Sequence, residues 1–181
     1  MFTSKRIRII GIAGIAAAAL AACAVQQPSS KPPALGVAAG ADLIAGFDIS
    51  IPPSGAGLPP GSGSVKQGEA VYTAKCQACH GEKGAGKPAD QLVGGQGSLA
   101  TNAPARTVGS YWPYATTLFD YVRRAMPTTN PLSMTSDEVY AVSAYLLNLN
   151  GIVPADAVMN AQTLPQVKMP NRDGFIDSWK K

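Results

Sequence analysis

Val65-Lys66-Gln67-Gly68-Glu69-Ala70-Val71-Tyr72-Thr73-Ala74-Lys75-Cys76-Gln77-Ala78-Cys79-His80 decides the fold, because it runs a helical stripe directly into a cysteine–histidine motif. Gly68, Tyr72 and Cys76 recur at i, i+4 and i+8, which is one face of a helix. Glycine inside a helix costs about 1 kcal/mol against alanine unless another backbone comes close. Gly68 therefore marks a helix–helix crossing. The C-x-x-C-H that follows, Cys76 to His80, is the attachment signature of c-type haem. Thiols one helical turn apart face the same edge of a macrocycle, and the adjacent His80 reaches the iron from one side. Two rival chemistries use cysteine pairs. A thioredoxin-like redox pair needs a βαβ setting, which this sequence lacks. Structural zinc needs four N or S ligands, and the chain has three Cys and one His, with Cys23 remote from the motif. One covalent haem c on Cys76 and Cys79, with His80 axial, is the expectation.

Residues 1–22 read as a targeting segment. Lys5, Arg6 and Arg8 precede the apolar run Ile9–Ala22, which is short for a membrane span of about 20 residues. The run ends Leu20-Ala21-Ala22-Cys23, similar to the lipobox of bacterial lipoproteins. That similarity implies lipid on Cys23 and a chain anchored on the periplasmic side of a membrane. A plain signal peptide with a soluble periplasmic product is the alternative. With Cys76 and Cys79 on haem, no cysteine remains for a disulfide. Removing the three cations with the leader takes the formal charge from +4 to +1, and two haem propionates bring it near neutrality. A nucleic-acid partner is therefore not supported.

Residues 23–37 are Ala-, Pro- and Ser-rich and read as a flexible tether, with a reach of roughly 20 Å. Residues 38–64 stay rich in Pro and Gly but contain the alternation Phe47-Asp48-Ile49-Ser50-Ile51. An extended docking arm held by Ile49 and Ile51 is expected there. Thr135-Ser136-Asp137-Glu138 is a capping box that opens a helix over 136–149, with Val142, Tyr145, Leu146 and Leu149 on its apolar face and Asn150-Gly151 as its stop. This is the natural partner for Gly68. A third helix is expected to start near Pro113, to carry Leu118, Tyr121 and Val122 inward, and to end with Arg123 and Arg124 against the dipole. Residues 81–111 are Gly-rich loop, and no strand-like alternation of any length competes. The class is all-α, with a domain over 65–150 and a tail over 151–181.

Three helices, the first crossing the last, with C-x-x-C-H closing the first, resemble the class I cytochromes c. In that layout the sixth ligand is a Met between the third and last helices, which implies Met126, held by the turn at Pro127. Four methionines follow the leader: Met126, Met134, Met159 and Met169. Met134 sits before the cap, where a hydrophobic staple belongs, and Met169, in a second Met-Pro pair, is the alternative ligand. His80 is the sole histidine, so bis-histidine ligation within the chain is excluded. The ring N–H of His80 should find a backbone carbonyl, from Pro88 or from Leu92–Gly95. Arg106, Tyr111 and Trp112 are candidates to meet propionates.

Longer strings are similar to the monohaem cytochrome subunits of sulfite and sulfane (sulfur) dehydrogenases. They include Gly57-Leu58-Pro59-Pro60-Gly61-Ser62-Gly63, Leu92 to Leu99, Thr107 to Pro127, and Lys168 to Phe175. The resemblance implies an electron-transfer subunit, not itself catalytic, that accepts electrons from a molybdenum-cofactor subunit and passes them to a downstream carrier. The alternatives are a cytochrome partner of a quinoprotein dehydrogenase, a free tethered carrier to an oxidase, or a haem with an open sixth site that binds a small gas.

Overall fold

Gly68 lies where the helix that carries it meets the 14-residue helix Ser136–Leu149. The protein is described here from a computed structural model covering residues 35–179. Within these, the helices are α1 (Ala41–Phe47), α2 (Val65–Lys75), α3 (Gln77–His80), α4 (Ala115–Ala125) and α5 (Ser136–Leu149), and the strands are β1 (Ser62–Ser64) and β2 (Val158–Asn160). The leader, the lipidation candidate Cys23 and most of the tether lie outside the described residues.

Helices α2 and α5 both start at full capping boxes, Ser64 with Gln67 and Thr135 with Glu138. A side chain at Gly68 would place its Cβ 2.6 Å from the Ala141 carbonyl carbon and 2.7 Å from Tyr145 Cβ. Only glycine lets α2 come this close. Tyr72 packs on Tyr145 one turn on, with ring centroids 5.4 Å apart. Every residue of α5 from Val139 to Leu147 is buried, so this helix is covered on all sides and is the centre of the core. Helix α4 lays Leu118, Phe119 and Val122 against it, with Phe119 and Tyr140 rings 4.4 Å apart.

The arm runs antiparallel along α4. Thr116 Oγ1 donates to the Pro53 carbonyl (3.1 Å), Ile51 N–H donates to Asp120 Oδ1 (2.8 Å), and Arg123 Nη1 donates to the Ile49 carbonyl (3.3 Å). Positions 116, 120 and 123 share one helix face, and every second arm residue, 53, 51 and 49, meets it. Asp120 is buried and also holds Arg124. Burial alone would raise its carboxyl, but the Arg124 guanidinium and the Ile51 N–H outweigh it and hold the pKa below the usual carboxylate value. On the other side, β1 pairs antiparallel with β2 in the register Ser62–Asn160, Gly63–Met159, Ser64–Val158. This pairing ties the tail to the entrance of α2, and Met159, Leu164, Val167 and Met169 then bury into the core.

The all-α reading holds, with four differences of detail. Residues 41–47 are helical where an extended arm was expected, Asp42 standing in the first turn where the dipole favours it. A two-stranded ribbon of three residues per strand exists, too short to carry a periodic signal. Helix α4 begins at Ala115, because Tyr114 is extended (φ −139°, ψ 134°) and serves as N-cap, so Pro113 precedes the helix. Phe119, not Tyr121, points inward; Tyr121 is exposed and lies edge-on to Trp112.

Candidate functional site

At Cys76 the backbone leaves α2 (φ −121°, ψ −37°) while its N–H still donates to the Tyr72 carbonyl at 2.9 Å. The chain resumes a helical turn as α3: Cys79 N–H and His80 N–H both donate to the Cys76 carbonyl, at 3.1 and 2.9 Å. The two cysteines therefore flank a single turn, and neither is in a disulfide. Burial pushes the Cys76 thiol up to about 11. That is away from the thiolate that a redox dithiol uses at neutral pH. No group of three or more His, Cys, Asp or Glu able to hold a metal ion occurs among the described residues.

The loop after the motif folds back on it. Gly86 N–H donates to the His80 carbonyl (2.8 Å), Ala89 N–H to the Cys79 carbonyl (2.8 Å), and the Tyr72 hydroxyl to the Gly81 carbonyl (2.8 Å). Gly81 has φ +73°, and a side chain there would run into the Gly86 carbonyl. Glycine is thus required immediately after the histidine. Burial of the Tyr72 ring pushes its phenol up to about 12, which keeps it a hydrogen-bond donor.

His80 Nδ1 lies 2.8 Å from the Asp90 carbonyl oxygen. A carbonyl only accepts, so Nδ1 carries a ring proton, which in the neutral imidazole leaves the lone pair on Nε2, the tautomer an axial ligand needs. The carbonyl is Asp90's, not one of those expected at Pro88 or Leu92–Gly95. The later carbonyls already have donors: Leu92 from Val108 N–H and Asn150, Gly94 from Thr107 Oγ1, Gly95 from Ser98.

Met126 is the C-cap of α4, extended at φ −117° and ψ 144°, and the following bond to Pro127 is cis. It is half-buried at the rim of the core, whereas Met134, Met159 and Met169 are enclosed within it at 8%, 5% and 3% exposure. Met126 is the least enclosed of the four. Met134 and Val139 bracket the cap at Thr135 and are both buried, as a staple requires. Arg106 lies over the Tyr111 ring at 5.6 Å, Tyr111 meets Phe175 edge-on at 5.2 Å, and Asn171 donates to the Tyr111 carbonyl. Tyr111 thus joins Arg106 to the tail, and Trp112 stands against Tyr121. Thiols on one turn, a histidine with a free Nε2 and a half-open thioether are the donor set of a covalent haem, and the residues present fit that group.

Comparison with known proteins points the same way. Residues 63–146 match the family described as "Cytochrome C oxidase, cbb3-type, subunit III". No curated protein matches the chain. Among solved structures, the crystal structure of the sulfane dehydrogenase SoxCD from Paracoccus pantotrophus is similar at 39% sequence identity and a TM-score of 0.76, over 83% of this chain and 75% of that one.

Proposed function

The chain belongs to the c-type cytochromes and carries covalently bound haem c, and from that premise we propose that it is the electron-transfer subunit of a sulfane or sulfite dehydrogenase. The observation that carries this reading is the 39% identity to the sulfane dehydrogenase over 83% of the chain, an extent that reaches beyond the residues 63–146 of the family match. When bound, haem c supplies a one-electron couple whose potential a His and Met pair sets high enough for a carrier.

Each residue then has a physical task. Cys76 and Cys79 hold the macrocycle by thioether bonds. His80 presents Nε2, and Asp90 fixes its plane through Nδ1. Met126, at the stop of α4, would offer a soft sulfur as the second protein ligand. Buried apolar side chains of α4 and α5 exclude water from the interior and so limit reorganisation around a changing charge. Electrons would enter from a molybdenum-cofactor subunit held in a lasting complex and leave to a downstream carrier through brief encounters, for which a small interface suffices. Lipid on Cys23 holds the domain at the periplasmic face of a membrane.

The test is co-expression of the full chain in a host that makes molybdenum cofactor. The expected result is co-purification of a molybdenum protein, with haem reduction on addition of sulfite or a sulfane-sulfur donor. A cytochrome that purifies without molybdenum and is reduced only by a quinoprotein dehydrogenase overturns the assignment. The ferric absorption spectrum tests the ligands: a weak long-wavelength charge-transfer band marks Met sulfur, and a high-spin spectrum overturns Met126 as ligand.

A further inference from the structure

The carbonyl that orients His80 is held at two anchors, one on each side. The first belongs to the motif itself, through Ala89 N–H on the Cys79 carbonyl at 2.8 Å. The second is Leu92, two residues beyond Asp90. Its N–H donates to the Gly84 carbonyl at 2.8 Å, and its carbonyl accepts from Val108 N–H and from Asn150 Nδ2, both at 3.2 Å. Asn150 stands at the end of α5 and is 8% exposed. Its Oδ1 accepts from Gly94 N–H at 3.0 Å and its Nδ2 also donates to the Leu146 carbonyl at 2.8 Å. The side chain therefore links the last turn of α5 to both ends of the Leu92–Gly94 segment. Gln96 Nε2 closes the knot on the Asn150 carbonyl at 3.1 Å.

We propose that Asn150 is a positioning residue for His80: it sets the place of the Asp90 carbonyl, and through it the strength of the ring hydrogen bond and the donor power of Nε2. The proposal rests on His80 being the axial ligand. A terminal Asn-Gly pair needs no buried side chain to stop a helix, yet this one makes three hydrogen bonds, two of them to a loop 56 and 58 residues earlier. A weaker Nδ1–H···O bond makes the imidazole a poorer donor. The ferric state then loses more than the ferrous state, and the potential rises.

Two variants displace the side chain differently. Asn150→Ser can still back-bond to the Leu146 carbonyl, as a serine does at i−4, but is too short to hold Leu92. Gly109→Ala leaves Asn150 intact and pushes on it, because a Cβ there would stand 2.8 Å from Asn150 Cγ and 2.6 Å from Gln96 Nε2. The readouts are solvent exchange of the His80 Nδ1 proton, followed by NMR on the reduced holoprotein, and the midpoint potential. Both variants are expected to exchange that proton about tenfold faster, the factor for losing one sound hydrogen bond, and to shift the potential upward. Gln96→Ala, which removes a bond to the Asn150 backbone only, should do neither. Ring signals shifted by the haem ring current in the wild type combined with unchanged exchange and potential in both variants overturn the proposal alone. Unshifted His80 ring signals in the wild type overturn the axial assignment and the proposal together.

Discussion

Alanine at position 68 adds one methyl group at the point where the fold has no room for it. Its Cβ would stand 2.6 Å from the Ala141 carbonyl carbon and 2.7 Å from Tyr145 Cβ, with the Ala141 oxygen closer still. Carbon atoms settle about 3.5–4.0 Å apart, so α2 and α5 must part by about 1 Å. A gap of that size forfeits roughly a quarter to a half of the dispersion energy of each contact across the crossing. Overpacking typically costs about 1–3 kcal/mol, and the upper end applies here because the obstacle is backbone and cannot rotate away. Alanine returns about 1 kcal/mol of helix propensity. The net loss is about 2 kcal/mol, or about 4–8 °C in melting temperature for a chain of this size. Urea unfolding of the holoprotein, read from tryptophan fluorescence and haem absorbance together, measures it. The control is Ala70→Gly, an exposed position on the same helix, which should cost about 1 kcal/mol through propensity alone. A Gly68→Ala protein that gains about 1 kcal/mol would show that the crossing is loose and refute the reasoning.

Met126→Ala should open the iron to added cyanide or carbon monoxide and lower the potential, read by absorbance titration and voltammetry, whereas Met169→Ala should destabilise the protein as a core truncation, by about 2–5 kcal/mol, and leave the iron closed. Asp120 has a carboxyl pKa held below its ordinary value of 3.8, so its contribution is complete at neutral pH and is lost as pH falls below about 4 and on through the folded-state pKa; Asp120→Asn should lower stability at pH 7 and flatten the acid limb of a stability–pH curve. Glu138 accepts from Lys75 at 2.5 Å and from the Thr135 N–H at 2.9 Å, and the ion pair is a third exposed. Lys75→Met should therefore change unfolding free energy by no more than about 0.5 kcal/mol, while Glu138→Ala should cost about 1 kcal/mol through the lost cap.

What the sequence made legible is what side chains encode locally. Thr135 to Glu138 and Cys76 to His80 each carry their chemistry within five residues, and Gly68 could be read because a glycine in a helical stripe has few other uses. The orienting carbonyl was illegible: any residue has one, and which one faces His80 depends on which others already have donors. Asn150 was read as a stop because Asn-Gly is ordinary helix-end chemistry, and nothing in the pair shows that its amide reaches Leu92 and Gly94. Phe119 and Tyr121 are separated by two positions of an 11-residue helix, too short a run for periodicity to choose between two aromatics. Helix α1 was masked by the Pro and Gly around it.

The two candidate axial residues are held by unlike means, and this separates what each end of the chain contributes. His80 depends on hydrogen bonds made within its own loop and on Asn150 at the end of α5. Met126 depends on α4, whose outer face is splinted by the arm at Pro53, Ile51 and Ile49. The last of these contacts, Arg123 on the Ile49 carbonyl, falls one turn before Met126. Loosening the arm therefore releases the end of α4 first, while the loop of His80 keeps its own anchors. A partner that grips the arm would act on the sulfur side of the site, and changes near Asn150 on the histidine side. By this argument the arm, which makes no contact with the cysteine motif through any of these bonds, braces one of the two candidate ligands.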